Sequence, residues 1–172
     1  MNTVAEIKQF YKEHGLIARP YTSEEIEQKL KDKKIDKIPE LLREYYLEIG
    51  QIKGAPNFFE YIYTLEPNDY LHIITKEDLK EEGWNDNRDY LVMGSEQYGS
   101  FNYAIALEDF DNENPPIYYQ GEPFYELTKD SLYHSYDEIV SSKLDYLEDF
   151  TTTPNLMALF SYIAGVAKES NK

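Results

Sequence analysis

The stretch Ile38-Pro39-Glu40-Leu41-Leu42-Arg43-Glu44-Tyr45-Tyr46-Leu47-Glu48-Ile49-Gly50 is where the chain changes its period. Pro39 suits the first position of a helix, where its missing N–H loses no bond, and Leu41, Leu42, Tyr45, Tyr46 and Ile49 recur at helical spacing before Gly50. Upstream the period is also helical. Val4, Ile7, Phe10, Tyr11 and His14 predict a helix over Thr3 to His14, stopped by Gly15, and Thr22 with Glu25 forms a capping-box pair ahead of an Ile26, Leu30 stripe.

Downstream the apolar residues become aromatic and β-branched in short runs. Phe58 to Leu65, Tyr70 to Ile74, Tyr90 to Met93, Phe101 to Leu107 and Ile117 to Gln120 predict an antiparallel sheet. Turn residues lie between them at Pro67-Asn68-Asp69, Gly94 to Gly99 and Asp111 to Pro116. A small helix is expected at Thr75 to Glu82, capped by Thr75 with Asp78, and Trp84 behind it is expected as a core plug. Ser135 with Glu138 repeats the capping-box spacing, and Pro154 opens a last helix carrying Leu156, Leu159, Phe160, Ile163 and Val166. The fold class is α+β: one domain over residues 1–172, with a sheet of about five or six antiparallel strands flanked by N-terminal and C-terminal helices.

The segments Thr22-Ser23-Glu24-Glu25-Ile26 and Ile38 to Gly50 resemble the opening of the SUKH superfamily, which includes bacterial immunity proteins and a fungal cell-wall-synthesis regulator. Tyr70-Leu71-His72-Ile73-Ile74-Thr75-Lys76-Glu77-Asp78-Leu79 looks like that family's strand leading into a short helix. Tyr90-Leu91-Val92-Met93-Gly94 and Tyr103-Ala104-Ile105-Ala106-Leu107 look like its paired strands ahead of an acidic loop. The likeness covers about residues 20–120, with the helical part at 135–168 in the expected place. Ile49 stands where asparagine is common, and Gln51-Ile52 replaces a glycine-rich continuation. The resemblance implies a binding scaffold that often neutralises a toxin, commonly a nuclease, and no matched position is a catalytic residue in that family.

Charge narrows the partners. Lys plus Arg number 17 against 33 Asp plus Glu, a net of −16, so phosphate backbones and anionic lipid heads are repelled and basic proteins attracted. The charge is uneven. Residues 1–76 hold 11 basic and 13 acidic side chains, a net of −2, whereas residues 77–172 hold 6 and 20, a net of −14. With no cysteine, disulfides, thiolate metal sites and thiol nucleophiles are excluded. No basic-then-apolar leader opens the sequence and no apolar run reaches the roughly 18 residues of a membrane span, so a cytoplasmic location is expected.

Candidate chemistry is sparse. His14, His72 and His134 are far apart and lack metal-ligand spacing. Gly94 and Gly99 enclose four residues, but Ser100-Phe101 follows where a phosphate-binding loop needs lysine, and Gln97 replaces the glycine that a nucleophile elbow would need after Ser95. Asp109, Asp111 and Glu113 alternate like calcium ligands, yet Asn114 and Gln120 occupy the glycine and glutamate positions of an EF-hand, leaving at most weak cation binding. Carboxylate pairs of a hydrolase stay open, because 33 acidic residues make accidental pairs.

Tyrosine is the informative excess, at 17 residues. Side chains alternate along a strand, so Tyr118 and Tyr119 point to opposite faces, and one of them is expected to meet solvent. Exposed tyrosine beside carboxylates makes a recognition surface. The expected partner-binding residues are therefore Glu96, Tyr98, Glu108, Asp109, Asp111, Glu113, Tyr118 and Tyr119. Joined to what the resemblance implies, they lead to the expectation of a non-enzymatic immunity protein that binds a basic toxin domain, without cofactor or metal. A regulatory scaffold is the first alternative and a carboxylate hydrolase the second. Oligomeric state is left open.

Overall fold

The structure is a computed structural model that describes residues 1–53, 62–67, 69–96, 101–128, 130–144 and 150–170. The chain opens with helix α1 (Val4–Glu13), capped by Thr3, whose hydroxyl accepts the Glu6 N–H. Strand β1 (Ile17–Arg19), helix α2 (Ser23–Asp32), helix α3 (Glu40–Glu48) and strand β2 (Gln51–Lys53) follow. Pro39 is the N-cap of α3 and not its first helical residue, so the helix begins one position later than the proline rule suggests. Gly50 then turns the chain in left-handed conformation, at φ 63°, and lets β2 pair back on β1 with Ala18 opposite Ile52. The sequence pattern does not predict this two-stranded ribbon, because three-residue strands are too short to show a period.

The main sheet has five antiparallel strands in chain order: β3 (His72–Ile74), β4 (Tyr90–Ser95), β5 (Phe101–Ala106), β6 (Tyr118–Gly121) and β7 (His134–Ser135). Residues 62–65 are not a strand, although Tyr63 donates its N–H to the Met93 carbonyl at 2.8 Å; the rest of the run expected at 58–65 lies outside the described residues. Helix α4 (Lys76–Glu81) bridges β3 and β4 and helix α5 (Tyr136–Ser142) follows β7, each opened by the capping box expected of it. The last helix, α6 (Leu156–Ser170), starts two residues after Pro154.

Alternation divides the sheet into two buried faces. On the inner face Leu91, Met93, Tyr103, Ile105 and Tyr119 join α1, α2, α3 and α6 in the main core, where Tyr45 stacks on Phe160 at 4.4 Å. Burial pushes the Tyr45 phenol up to about 12. On the outer face Tyr90, Val92, Ala104, Ala106 and Tyr118 pack with Leu79 of α4 and with Leu132 and Tyr133 in a second, smaller core. The expectation that Tyr118 or Tyr119 would face solvent is therefore corrected: they do point to opposite faces, but both are buried, Tyr118 at 9% exposure and Tyr119 at 1%. Trp84 is also corrected. It is half-buried at the rim of the second core and plugs neither one.

Candidate binding surface on the outer face

The segment between α4 and β4 builds this surface. Asp86 opens an Asx-type turn: its Oδ1 accepts the Arg88 backbone N–H and Nε, both at 3.2 Å, and its Oδ2 accepts the Tyr90 hydroxyl at 2.9 Å. The carboxylate is 1% exposed, whereas the Arg88 side chain keeps 27% of its surface. The guanidinium lies 5.4 Å from the Tyr90 ring centre and 4.8 Å from that of Tyr118, a double cation–π contact. Tyr118 in turn donates to Asp109 Oδ2 at 3.2 Å, and Asp109 Oδ1 accepts the Asn112 amide at 3.0 Å. A continuous polar chain thus joins the α4–β4 segment to the β5–β6 connection. Asp89 adds a second tie, accepting the Lys76 N–H at the start of α4 and, through its carbonyl, the Leu107 N–H at the end of β5.

Burial works against the Arg88 charge, but the hydrogen bond and charge of Asp86 outweigh it and hold the guanidinium protonated above its ordinary range. Burial raises both phenols, Tyr90 strongly. The Asp109 charge adds to the rise at Tyr118, and Arg88 opposes it at both. Both stay neutral hydrogen-bond donors near pH 7.

Next to this chain lies an aromatic ledge. Trp84 and Tyr125 stack with ring centres 6.3 Å apart and planes inclined by 27°, and Gln120 Nε2 donates to the Tyr125 hydroxyl at 3.3 Å. Tyr125 is 46% exposed. Beneath Trp84, a depression of about 270 Å³ is lined by α4 and by Asn85, Asp86 and Asn87. Tyr133, stacked on Tyr90 at 4.2 Å, has its phenol raised by burial and then by the charges of Glu82 and Asp86, with Tyr125 also in electrostatic range.

The structure brings part of the expected site together. Glu108, Asp109, Asp111 and Glu113 occupy one connection beside Tyr118, with Glu108 and Glu113 exposed. Asp111, 89% exposed, pairs with Lys37 from the α2–α3 connection. Glu96 lies at the far end of β5, roughly 17 Å away by strand rise, and donates its N–H to Phe101. Tyr98 is outside the described residues. Tyr119 belongs to the inner core, where its hydroxyl donates to the Thr153 carbonyl at 2.8 Å. Among the described residues no three His, Asp or Glu side chains are placed to hold a metal ion, and no helix is long and apolar enough to cross a membrane. Asp86, Arg88, Tyr90, Trp84 and Tyr125 were not expected. The visible signal was Arg88, the single arginine of the strongly acidic part of the chain.

No known protein family, curated protein or solved structure matches this chain. The α+β architecture and the outer-face geometry are therefore what a functional reading rests on.

Proposed function

We propose that this chain is a non-enzymatic protein-binding module of the immunity type, which receives a basic toxin domain, such as a nuclease, on the acidic side of its sheet. One observation carries the reading. Glu77, Glu81, Glu82, Glu108, Glu113 and Glu122 belong to the elements framing the outer face, are exposed, and enter no ion pair among the described residues. Left unneutralised, they project a negative field that speeds encounter with a cationic partner and that salt screens. The resemblance to SUKH proteins supports the same reading.

The test starts from the neighbouring reading frame: a secreted protein with a toxic C-terminal domain supplies the partner. Binding of that domain is measured at low salt and at about ten times that salt, with association expected to slow by about tenfold or more at the higher value. Glu108→Lys with Glu113→Lys is the sharper charge variant, since Asp109 and Asp111 already have partners within the fold. Equal association at both salts removes the electrostatic basis of the reading. Retention of housekeeping proteins, with no toxin encoded nearby, favours a regulatory scaffold.

A further inference from the structure

We propose that the Trp84–Tyr125 ledge is the seat for an arginine or lysine side chain of the partner. This rests on the binding reading above and gives it a place. The protein already holds one guanidinium in this way. Arg88 lies over the Tyr90 and Tyr118 rings with the Asp86 carboxylate at its edge, so the outer face demonstrates which chemistry it stabilises. The ledge next to it carries the same groups. Two aromatic rings lie together, the Tyr125 ring half-exposed, offering the π surface that attracts cations, and the exposed carboxylates of Glu82 and Glu122 belong to the segments that carry them.

Among the described residues no lysine or arginine stands over either ring. Lys76 and Lys80 line the depression on the α4 side of Trp84, which directs an incoming cation towards Tyr125 and Glu122 instead. Rigidity also favours a contact here. Tyr125 is held by the Trp84 stack and by Gln120, so its half-exposed ring is ordered before a partner arrives and loses little freedom on binding. An apolar partner side chain would gain the ring area but would also have to displace the water around the carboxylates. A cation with an aliphatic stem uses both.

Trp84 is the single tryptophan of the chain, so its fluorescence reports this ledge alone. The probe is a short capped peptide alternating arginine and alanine, titrated into the full chain, with the same peptide carrying citrulline in place of arginine as the uncharged control. A saturable change in Trp84 emission is expected with the arginine peptide and not with the citrulline peptide. Tyr125→Ala keeps the net charge and should weaken binding about fivefold. Tyr125→Phe keeps the ring and should bind as the wild type does. Binding of the arginine peptide without any change in Trp84 emission, or unweakened binding by a Tyr125→Ala variant of wild-type circular dichroism, overturns the seat. If a toxin domain binds while Tyr125→Ala has no effect, the seat fails and the immunity reading stands. If the peptide seats on the ledge but no basic protein partner binds, the seat stands and the immunity reading fails.

Discussion

The Tyr90 hydroxyl donates to Asp86 Oδ2 at 2.9 Å, and both residues are buried. A buried carboxylate is tolerated only when its lone pairs are occupied and its charge is matched. Arg88 and Tyr90 meet both needs. Asp86→Ala leaves a half-buried guanidinium and a buried phenol without their acceptor. We expect a loss of about 3 kcal/mol of stability in urea unfolding, the low end for a broken buried pair because Arg88 retains some solvent. A loss below about 1 kcal/mol would show that Asp86 is solvated in solution.

Two glycines with positive φ should respond very differently to alanine. A Cβ at Gly50 would overlap the Arg19 carbonyl oxygen, part of the backbone that closes the β1–β2 ribbon, whereas a Cβ at Gly83 meets nothing within 4 Å. Gly83→Ala should cost about 1 kcal/mol of left-handed strain. Gly50→Ala should cost several times as much, or abolish soluble expression, because backbone and not a yielding side chain is in the way. Comparable unfolding midpoints for the two variants would contradict this close approach.

Tyr119 and Tyr118 are neighbours with hydroxyls in unlike places. The Tyr119 hydroxyl both donates to the Thr153 carbonyl and accepts the Thr153 N–H, wholly buried, so Tyr119→Phe strands two backbone groups and should cost about 2 kcal/mol. Tyr118→Phe removes bonds to the Asp109 and Arg88 side chains at the rim, where water can substitute, and should cost under about 1 kcal/mol. Paired thermal melts check the order of the two.

His134 is fully buried in β7 and neither ring nitrogen has a hydrogen-bond partner among the described residues. Burial lowers its pKa, with the Arg88 charge adding to the fall and Glu138 and Asp86 opposing it. The unfolded chain takes up a proton near pH 6.5 while the folded chain does so only at lower pH, so this residue destabilises the fold as pH drops below about 6.5. The melting temperature should fall between about pH 7 and about pH 5.5, and His134→Phe should flatten that slope. An unchanged slope in the variant would assign the pH response to other groups.

How much of this was legible depends on the range of the interaction. Capping boxes at Thr22, Thr75 and Ser135 could be read and do form, since three residues of spacing decide them. Strands β4, β5 and β6 announced themselves through aromatic and β-branched runs. Strand β7 did not, because two residues carry no period, and its place beside β6 is set by a chain return of more than ten residues. The same return explains the error at Tyr118. Alternation tells which face a side chain takes, but nothing near residue 118 says that Leu132 and Tyr133 will come back to cover it. For the site, the acidity of residues 108–113 was plain in the sequence. The stacking of Trp84 on Tyr125 joins residues about forty positions apart and has no local signature.

Helix α1 packs against α6, the Ser161 hydroxyl donates to the Met1 carbonyl, and Lys168 stands over the Phe10 ring. Helix α1 is packed by β1 and α3, which follow it closely in the chain, and by α6, which comes late, so part of its apolar stripe stays uncovered until α6 is made, while the meander of the sheet pairs strand by strand in chain order. During synthesis the apolar surfaces that wait longest are those that α6 covers, on α1 and on the inner face of the sheet. A chaperone that shields these two surfaces until α6 is made would raise the yield of folded protein.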